Sequence, residues 1–147
     1  MRLPAFSLGF SLIELMVVIA IISLLVALGV PAYQDYTTRT KISEAFTLST
    51  AAKVSMAEFY QSMGFWPEDN KQAGLAMPHE LKGNYVSGIE VKHNKLIVTF
   101  NDQIVSSIKG KSLFFTGIDD AIGQIRWHCD AQEIDSKYLP SNCREKG

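Results

Sequence analysis

The stretch that decides the fold lies at residues 9–46 and reads GFSLIELMVVIAIISLLVALGVPAYQDYTTRTKISEAF. Between Leu15 and Val30 the only polar side chain is that of Ser23. With its start at Phe10, this run is long enough to span a bilayer, which takes about 20 apolar residues in a helix.

The order of residues around the apolar run argues against a cleaved secretory signal peptide. Such a signal has its small-residue cleavage site after the apolar run, whereas here the polar break and the small residue, Ser7 and Gly9, come before it. Processing at Gly9 would therefore leave the whole hydrophobic segment on the mature chain.

The composition indicates one hydrophobic anchor that carries one small water-soluble domain. The chain has 147 residues, of which 47% are hydrophobic, and its net charge is −1 from 14 Lys and Arg against 15 Asp and Glu. This length suits one modest domain. The composition excludes a wholly disordered chain, a collagen-like chain and a polytopic membrane protein. The lack of a basic excess argues against a dedicated nucleic-acid binder.

Glu14 is the one charged residue within the apolar segment. A carboxylate there costs a few kcal/mol unless it is neutralised or paired. In one interpretation the side chain reaches the lipid headgroups. In the other, cleavage after Gly9 creates an amine on Phe10 that pairs with Glu14 of a neighbouring helix. Such a pair would set the stagger of a helical assembly, as buried polar residues fix the register of coiled coils.

Several short segments carry a resemblance to a known family. Residues 9–15, GFSLIEL, resemble the class III signal of type IV prepilins, a signal also found in the pseudopilins of type II secretion. VPAYQDYT at residues 30–37, together with Arg39 and the downstream Ser43-Glu44-Ala45, resembles the conserved helix of type IVa pilins. The similarity returns at Trp127–Arg144, and the segment from Pro31 onward together with the cysteine loop favours a pilin.

The resemblance implies that the N-terminus is processed. A prepilin peptidase would cleave between Gly9 and Phe10, and the new Phe10 amine would be methylated. The implied organisation is a removed leader, a transmembrane and assembly half of the helix, and a periplasmic or extracellular pilin domain, at residues 1–9, 10–33 and 34–147.

Pro31 is predicted to take part in assembly. Proline lacks the N–H that would bond to the Ala27 carbonyl, and Gly29 lowers the local helix propensity by about 1 kcal/mol relative to alanine. In lipid we expect the helix to persist with at most a kink. On assembly we predict local unwinding just before Pro31, the alternative being the same mild kink in both states.

After Pro31 the pattern becomes amphipathic. Apolar residues recur at steps of three and four, which is typical of a helix with one buried face; they are Ile42, Ala45, Phe46, Ala52, Met56, Phe59, Tyr60 and Met63. Polar residues such as Thr38 and Lys53 are assigned to other faces. Gly64 and Pro67 would end a helix that runs from Phe10 to Met63.

Four strand signals follow the helix. They lie at Val86–Lys92, Lys95–Asn101, Ser112–Gly117 and Gln124–Cys129, with a turn at Asn94. The fold class predicted is α+β: a long N-terminal helix packed on a four-stranded antiparallel meander, as the resemblance to type IV pilins also implies.

The chain has two cysteines, Cys129 and Cys143. They form one disulfide or remain two free thiols, and an exported location beyond a membrane segment favours the disulfide. Tyr138-Leu139-Pro140 before Cys143-Arg144 resembles the C-terminal loop of type IVa pilins.

No residue pattern indicates catalysis, a cofactor or a metal centre. A zinc site needs about four ligands, and the three histidines show no ligand spacing. Two acidic pairs, Asp119-Asp120 and Glu133 with Asp135, are interpreted as solvated turn charges in preference to calcium ligands. The only basic patch that could bind DNA is better explained as a solvated strand rim; it comprises Lys92, Lys95, Lys109 and Lys111.

These observations predict a structural protein and not an enzyme. The function predicted is that of a type IVa major pilin, which polymerises into a retractable filament for adhesion, twitching motility or DNA uptake. The alternatives are a type II secretion pseudopilin and a minor pilin that acts as a tip adhesin or DNA receptor. The partners implied are other copies of the chain, a prepilin peptidase, an inner-membrane assembly platform and an outer-membrane secretin. The chain would lie in the inner membrane first and then in the extracellular pilus of a Gram-negative bacterium.

Overall fold

The computed structural model describes residues 9–120 and 123–144, so the predicted leader, apart from Gly9, lies outside the described residues. The chain comprises two units, residues 1–34 and 35–147. One long helix, four strands and two single-turn 3-10 helices are formed: α1 at Leu12–Met63, β1 at Val86–Lys92, β2 at Lys95–Phe100, β3 at Ser112–Asp119, β4 at Ile125–Asp130, η1 at Ser136–Tyr138 and η2 at Ser141–Cys143.

The C-terminal end of α1 follows from glycine. Gly64 has φ +79°, the left-handed conformation that favours glycine, and its N–H donates to the Tyr60 carbonyl at 2.8 Å. Pro67 follows three residues later and is buried. The helix end predicted at Met63 is confirmed.

The sheet is an antiparallel meander in the order β1-β2-β3-β4. A two-residue turn joins β1 to β2, where Lys92 pairs with Lys95, and His93 in this turn has φ +56°. The strand β3 continues two residues beyond the predicted end at Gly117 and pairs Asp119 with Ile125. The fold class predicted from the sequence is therefore confirmed.

The core lies between α1 and one face of the sheet. Ile42, Ala45, Ala52 and Met56 of the helix are at most 2% exposed and belong to one cluster with apolar residues of all four strands. The Phe46 and Phe115 rings meet edge to face, with centroids 5.3 Å apart. This burial is the main source of stability in a small domain.

The buried stripe of the helix differs from the predicted one at four positions, Thr38, Ser49, Lys53 and Met63. Thr38 and Ser49 are buried, although Thr38 is predicted on another face; the Ser49 hydroxyl donates to the Phe46 carbonyl at 2.8 Å, which makes its burial inexpensive. Met63 is 59% exposed because it is the last helical residue and the chain turns away after it. Lys53 is half-buried instead of lying on a solvated face.

The segment between α1 and β1 covers the outer edge of β1. Asn70 is 3% exposed, and its side-chain amide donates to the carbonyl oxygens of Ala76 and Ile89, at 2.9 and 2.8 Å. Its Oδ1 accepts from the Val91 N–H at 2.7 Å. One side chain thus satisfies both a donor and an acceptor of the edge strand. Asn70 itself belongs to the segment between α1 and β1, in which the sequence shows no helical or strand periodicity.

Candidate functional site

The predicted processing site lies in an open, non-helical segment. Gly9 and Phe10 precede α1, and the Phe10 side chain is 74% exposed. Among the described residues, no atom lies within 4 Å of the place where a Cβ on Gly9 would stand. The described residues therefore do not cover this peptide, and its cleavage stays a prediction.

Ser11 and Glu14 form a capping box at the start of α1. The Glu14 N–H donates to Ser11 Oγ at 3.2 Å, and the Ser11 N–H donates to Glu14 Oε2 at 2.9 Å. Each residue thereby satisfies a backbone donor that a helix N-terminus leaves without a partner. The motif was not predicted, although its S-x-x-E signal is present in the sequence, and it explains why α1 begins at Leu12 and not at Phe10.

The first part of α1 exposes a continuous apolar surface. All residues from Leu15 to Val30 are exposed within the chain, and the Ser23 hydroxyl donates to the Ile19 carbonyl at 2.7 Å. Of the described helices, α1 alone is long and apolar enough to cross a membrane, a test that a signal sequence also passes. Pro31 lies inside the helix.

The C-terminal loop is closed and anchored. Cys129 and Cys143 form a disulfide with their Cα atoms 4.7 Å apart, which decides between the two alternatives that the sequence leaves. Lys137 Nζ lies 3.4 Å from Asp35 Oδ1 on α1. A hydrogen bond with Tyr138 and the nearby Asp35 charge raise the pKa of Lys137.

Glu44 joins α1 to the start of the sheet. Its two carboxylate oxygens accept from the backbone N–H groups of Asn84 and Tyr85, each at 2.7 Å. A Cβ on Gly83 would overlap this carboxylate, so the absence of a side chain at residue 83 allows the approach. Hydrogen bonds to a charged acceptor are stronger than neutral ones.

Comparison with known proteins agrees with this arrangement. Residues 38–144 match the profile of the family described as Pilin (bacterial filament), and residues 6–30 match the prokaryotic N-terminal methylation motif. The chain is 41% identical over 155 residues to a type IV major pilin protein PilE1 of Neisseria gonorrhoeae, with 93% of each chain covered. It is 40% identical to the fimbrial protein EcpC of Eikenella corrodens over 141 residues (92% of this chain, 90% of the relative). It is 34% identical to a fimbrial protein of Pseudomonas aeruginosa over 150 residues (92% and 95%).

The chain belongs to the type IV pilin family. This family is one of structural filament proteins and not of enzymes, so the pilin is a filament subunit and the expectation of no enzymatic activity is confirmed. Family membership implies that copies of the pilin polymerise with one another, and the exposed apolar helix fits anchoring in a membrane before assembly.

An aromatic cluster closes the end of the pilin sheet beside α1. The Tyr60 and Trp66 rings stack with centroids 4.4 Å apart, and Trp66 meets Trp127 edge to face at 6.0 Å. Lys53 Nζ lies 3.4 Å from the Phe115 ring centroid. Burial lowers the pKa of Lys53 from 10.5 to about 8.

Several of the charged residues considered for ligand binding have other partners in the pilin. Asp119 accepts from the Tyr60 hydroxyl at 3.0 Å, which raises the pKa of Tyr60. Lys92 pairs with Glu90 at 3.1 Å, and Lys111 donates to the Glu133 carbonyl at 2.6 Å. Within residues 9–120 and 123–144 no group of three or more metal-ligating side chains is found.

Proposed function

We propose that this pilin is the major subunit of a type IV pilus. The observation that carries the proposal is the unbroken exposed apolar surface of α1 from Leu15 to Val30, which a water-soluble domain of this size leaves uncovered. Such a surface needs lipid before assembly and other copies afterwards. The printed names of the Neisseria relatives support the assignment as a major pilin.

The proposed route starts in the inner membrane of a Gram-negative bacterium. A prepilin peptidase removes residues 1–9, and the Phe10 amine is methylated. The assembly platform then draws the mature chain out of the membrane, and the filament leaves through an outer-membrane secretin. The open segment at Gly9 and the match to the methylation motif support the cleavage and methylation steps.

The processing step is tested by Gly9→Val, since the peptidase requires a small residue at that position. We expect the precursor to accumulate at its full mass, whereas Ala5→Val, which changes the leader away from the junction, should be processed normally. Intact-mass analysis of membranes and filaments separates the two products. Mature filaments that still begin at Met1 would contradict the proposal.

Glu14 is proposed to set the stagger between neighbouring helices through the Phe10 amine. In the single chain its carboxylate also caps α1 through Ser11, so the two roles must be separated. Ser11→Ala removes the hydroxyl of the capping box and keeps the Glu14 carboxylate, whereas Glu14→Leu removes the carboxylate and keeps the hydroxyl. We expect filaments from Ser11→Ala and none from Glu14→Leu. Abundant normal filaments from Glu14→Leu would refute the stagger role.

Pro31 is proposed to allow local unwinding when the filament forms. The helix runs through Pro31 in the single chain, while Gly29 and the missing N–H of proline make this the weakest stretch of α1. A filament reconstruction tests the step. Unbroken helical density from Leu24 to Tyr36 would exclude it.

The proposed rank of major subunit is tested by abundance. Filaments sheared from the cell surface should consist mainly of this chain and should be absent from a deletion strain. If filaments of another composition persist in that strain, the chain is a minor pilin or a pseudopilin. Motility, adhesion and DNA-uptake assays on the same strain then separate the possible uses of the pilus.

A further inference from the structure

Among the residues that the structure describes, the lining of a groove between α1 and the C-terminal loop contains two arginines and no acidic side chain. It has a volume of about 220 Å³ and its lining consists of Arg39, Ser43, Tyr138, Leu139, Pro140 and Arg144; we call it the arginine groove. All six residues belong to the unit formed by residues 35–147. The lining therefore carries a formal charge of +2 from its two guanidinium groups.

The C-terminal side of the arginine groove is held in place before any ligand arrives. Arg144 follows Cys143 of the disulfide, and its Nε donates to the Leu139 carbonyl at 2.9 Å. This bond orients the guanidinium and leaves its terminal N–H groups without a partner among the described residues. A fixed guanidinium loses little freedom when it binds an anion.

The helical side supplies the second cation. Arg39 is exposed, and its guanidinium has no hydrogen bond or ion pair within the described part of the chain. Ser43 lies one turn later and its hydroxyl donates to the Arg39 carbonyl at 3.0 Å. The nearest acidic residue on this face of α1, Asp35, lies one turn before Arg39 and forms its ion pair with Lys137.

We propose that the arginine groove binds a phosphate group between Arg39 and Arg144. Two guanidinium groups present planar sets of N–H donors that match the oxygens of a phosphate, and Tyr138 lines the same groove. The volume accommodates one phosphate with a small substituent.

Two sources can supply this chemistry: a phospholipid headgroup and free phosphate. Arg39 follows the last residue of the apolar run, Val30, by nine residues, and basic residues that follow a membrane segment interact with anionic headgroups. The headgroup source rests on the proposed function, since it requires the subunit to lie in the membrane before assembly. Free phosphate requires only the folded domain.

The test uses the full oxidised chain in an uncharged detergent. The Nε–H resonances of Arg39 and Arg144 are followed by NMR while inorganic phosphate is added at constant ionic strength. We expect a saturable shift of both resonances. Arg39→Gln should weaken binding at least about tenfold, because a hydrogen bond to a charged group is lost. The matched control is Arg126→Gln, which removes an exposed arginine of β4 that pairs with Asp120 and should leave the affinity unchanged.

A second arm places the chain in nanodiscs of phosphatidylglycerol or of digalactosyldiacylglycerol, which lacks phosphate. Shifts with phosphatidylglycerol alone assign the headgroup as the ligand, and shifts with inorganic phosphate as well assign the phosphate group in general. No Arg39-dependent shift in either arm, or an equal loss in Arg126→Gln, overturns the proposal. The subunits in this test are unassembled, so the result does not depend on whether the strain makes pili. Failure of the phosphate-binding proposal can therefore be distinguished from failure of the proposed function.

Discussion

Replacing Lys53 by Met removes an ammonium group that lies 3.4 Å from the centroid of the Phe115 ring and 5.9 Å from that of Trp127. Burial lowers the pKa of Lys53 from 10.5 to about 8. At a pH below the folded-state pKa, the amine is charged in both the folded and the unfolded state, and the folded state bears the full cost of desolvation. Between that value and 10.5 the folded state loses its proton first, so the free energy of unfolding rises with pH. Above pH 10.5 the free energy of unfolding rises no further.

The size of the effect follows from the two pKa values and the exposure of the side chain. If the amine were fully buried, the pKa difference between the folded and unfolded states would correspond to about 3 kcal/mol. Lys53 is only half-buried, so water reduces this free energy to about 1.5 kcal/mol. The contact with the Phe115 ring favours the ammonium by about 0.5 kcal/mol. Desolvation therefore exceeds the ring attraction, and about 1 kcal/mol remains.

The assay is equilibrium unfolding of the full oxidised chain in a mild detergent, followed by the fluorescence of Trp66 and Trp127. Lys53→Met should be more stable than the parent chain by about 1 kcal/mol near pH 7, and this advantage should mostly vanish near pH 10. Lys82→Met, which removes an exposed lysine, serves as the control and should show no such pH dependence. An advantage of Lys53→Met that does not change with pH, or that grows with pH, would refute the reasoning.

Three further substitutions test the contacts that hold the second unit together. Cys143→Ser opens the C-terminal loop and should lower the free energy of unfolding by about 3 kcal/mol, the loop-closure value for this size; an unchanged denaturation midpoint would contradict it. Glu44→Gln weakens two charge-assisted hydrogen bonds and should cost about 1–2 kcal/mol in the same measurement, whereas the exposed Glu58→Gln should cost nothing measurable. Gly117→Ala places a Cβ against the Trp66 ring and should cost about 1–3 kcal/mol; a Trp66 emission spectrum like that of the parent chain would show that the ring had not moved.

The sequence predicts the elements of this fold well because each has a local signal. The strand β1 has both predicted bounds, since apolar Ile89 and Val91 alternate with polar residues between a loop and a turn. The helix end follows from Gly64 and Pro67. The errors at the end of β3 and at the start of β4 arise at their connecting turn, where the Asp120 N–H and the Gln124 carbonyl still pair at 3.0 Å.

The contacts that join distant segments could not be predicted from local patterns. Glu44 bonds to backbone groups 40 residues away, and nothing near it in sequence distinguishes it from a solvated helical glutamate. The charge of Lys53 predicts a position on another face of the helix, although its aliphatic stem can cover aromatic surface. At the candidate site, the residues of the prepilin-like signal could be identified from the sequence. The groove between Arg39 and Arg144 could not, because it depends on how the C-terminal loop returns to α1.

Asn70 has a consequence for the solution behaviour of a subunit that exists to polymerise. An uncovered edge strand offers its backbone to any other strand and is a common start of aggregation. By occupying the N–H of Val91 and the carbonyl of Ile89, Asn70 removes that part of β1 from strand-to-strand pairing. This contact disfavours association of crowded subunits through that part of β1, and it agrees with the proposal that copies associate through the apolar surface of α1.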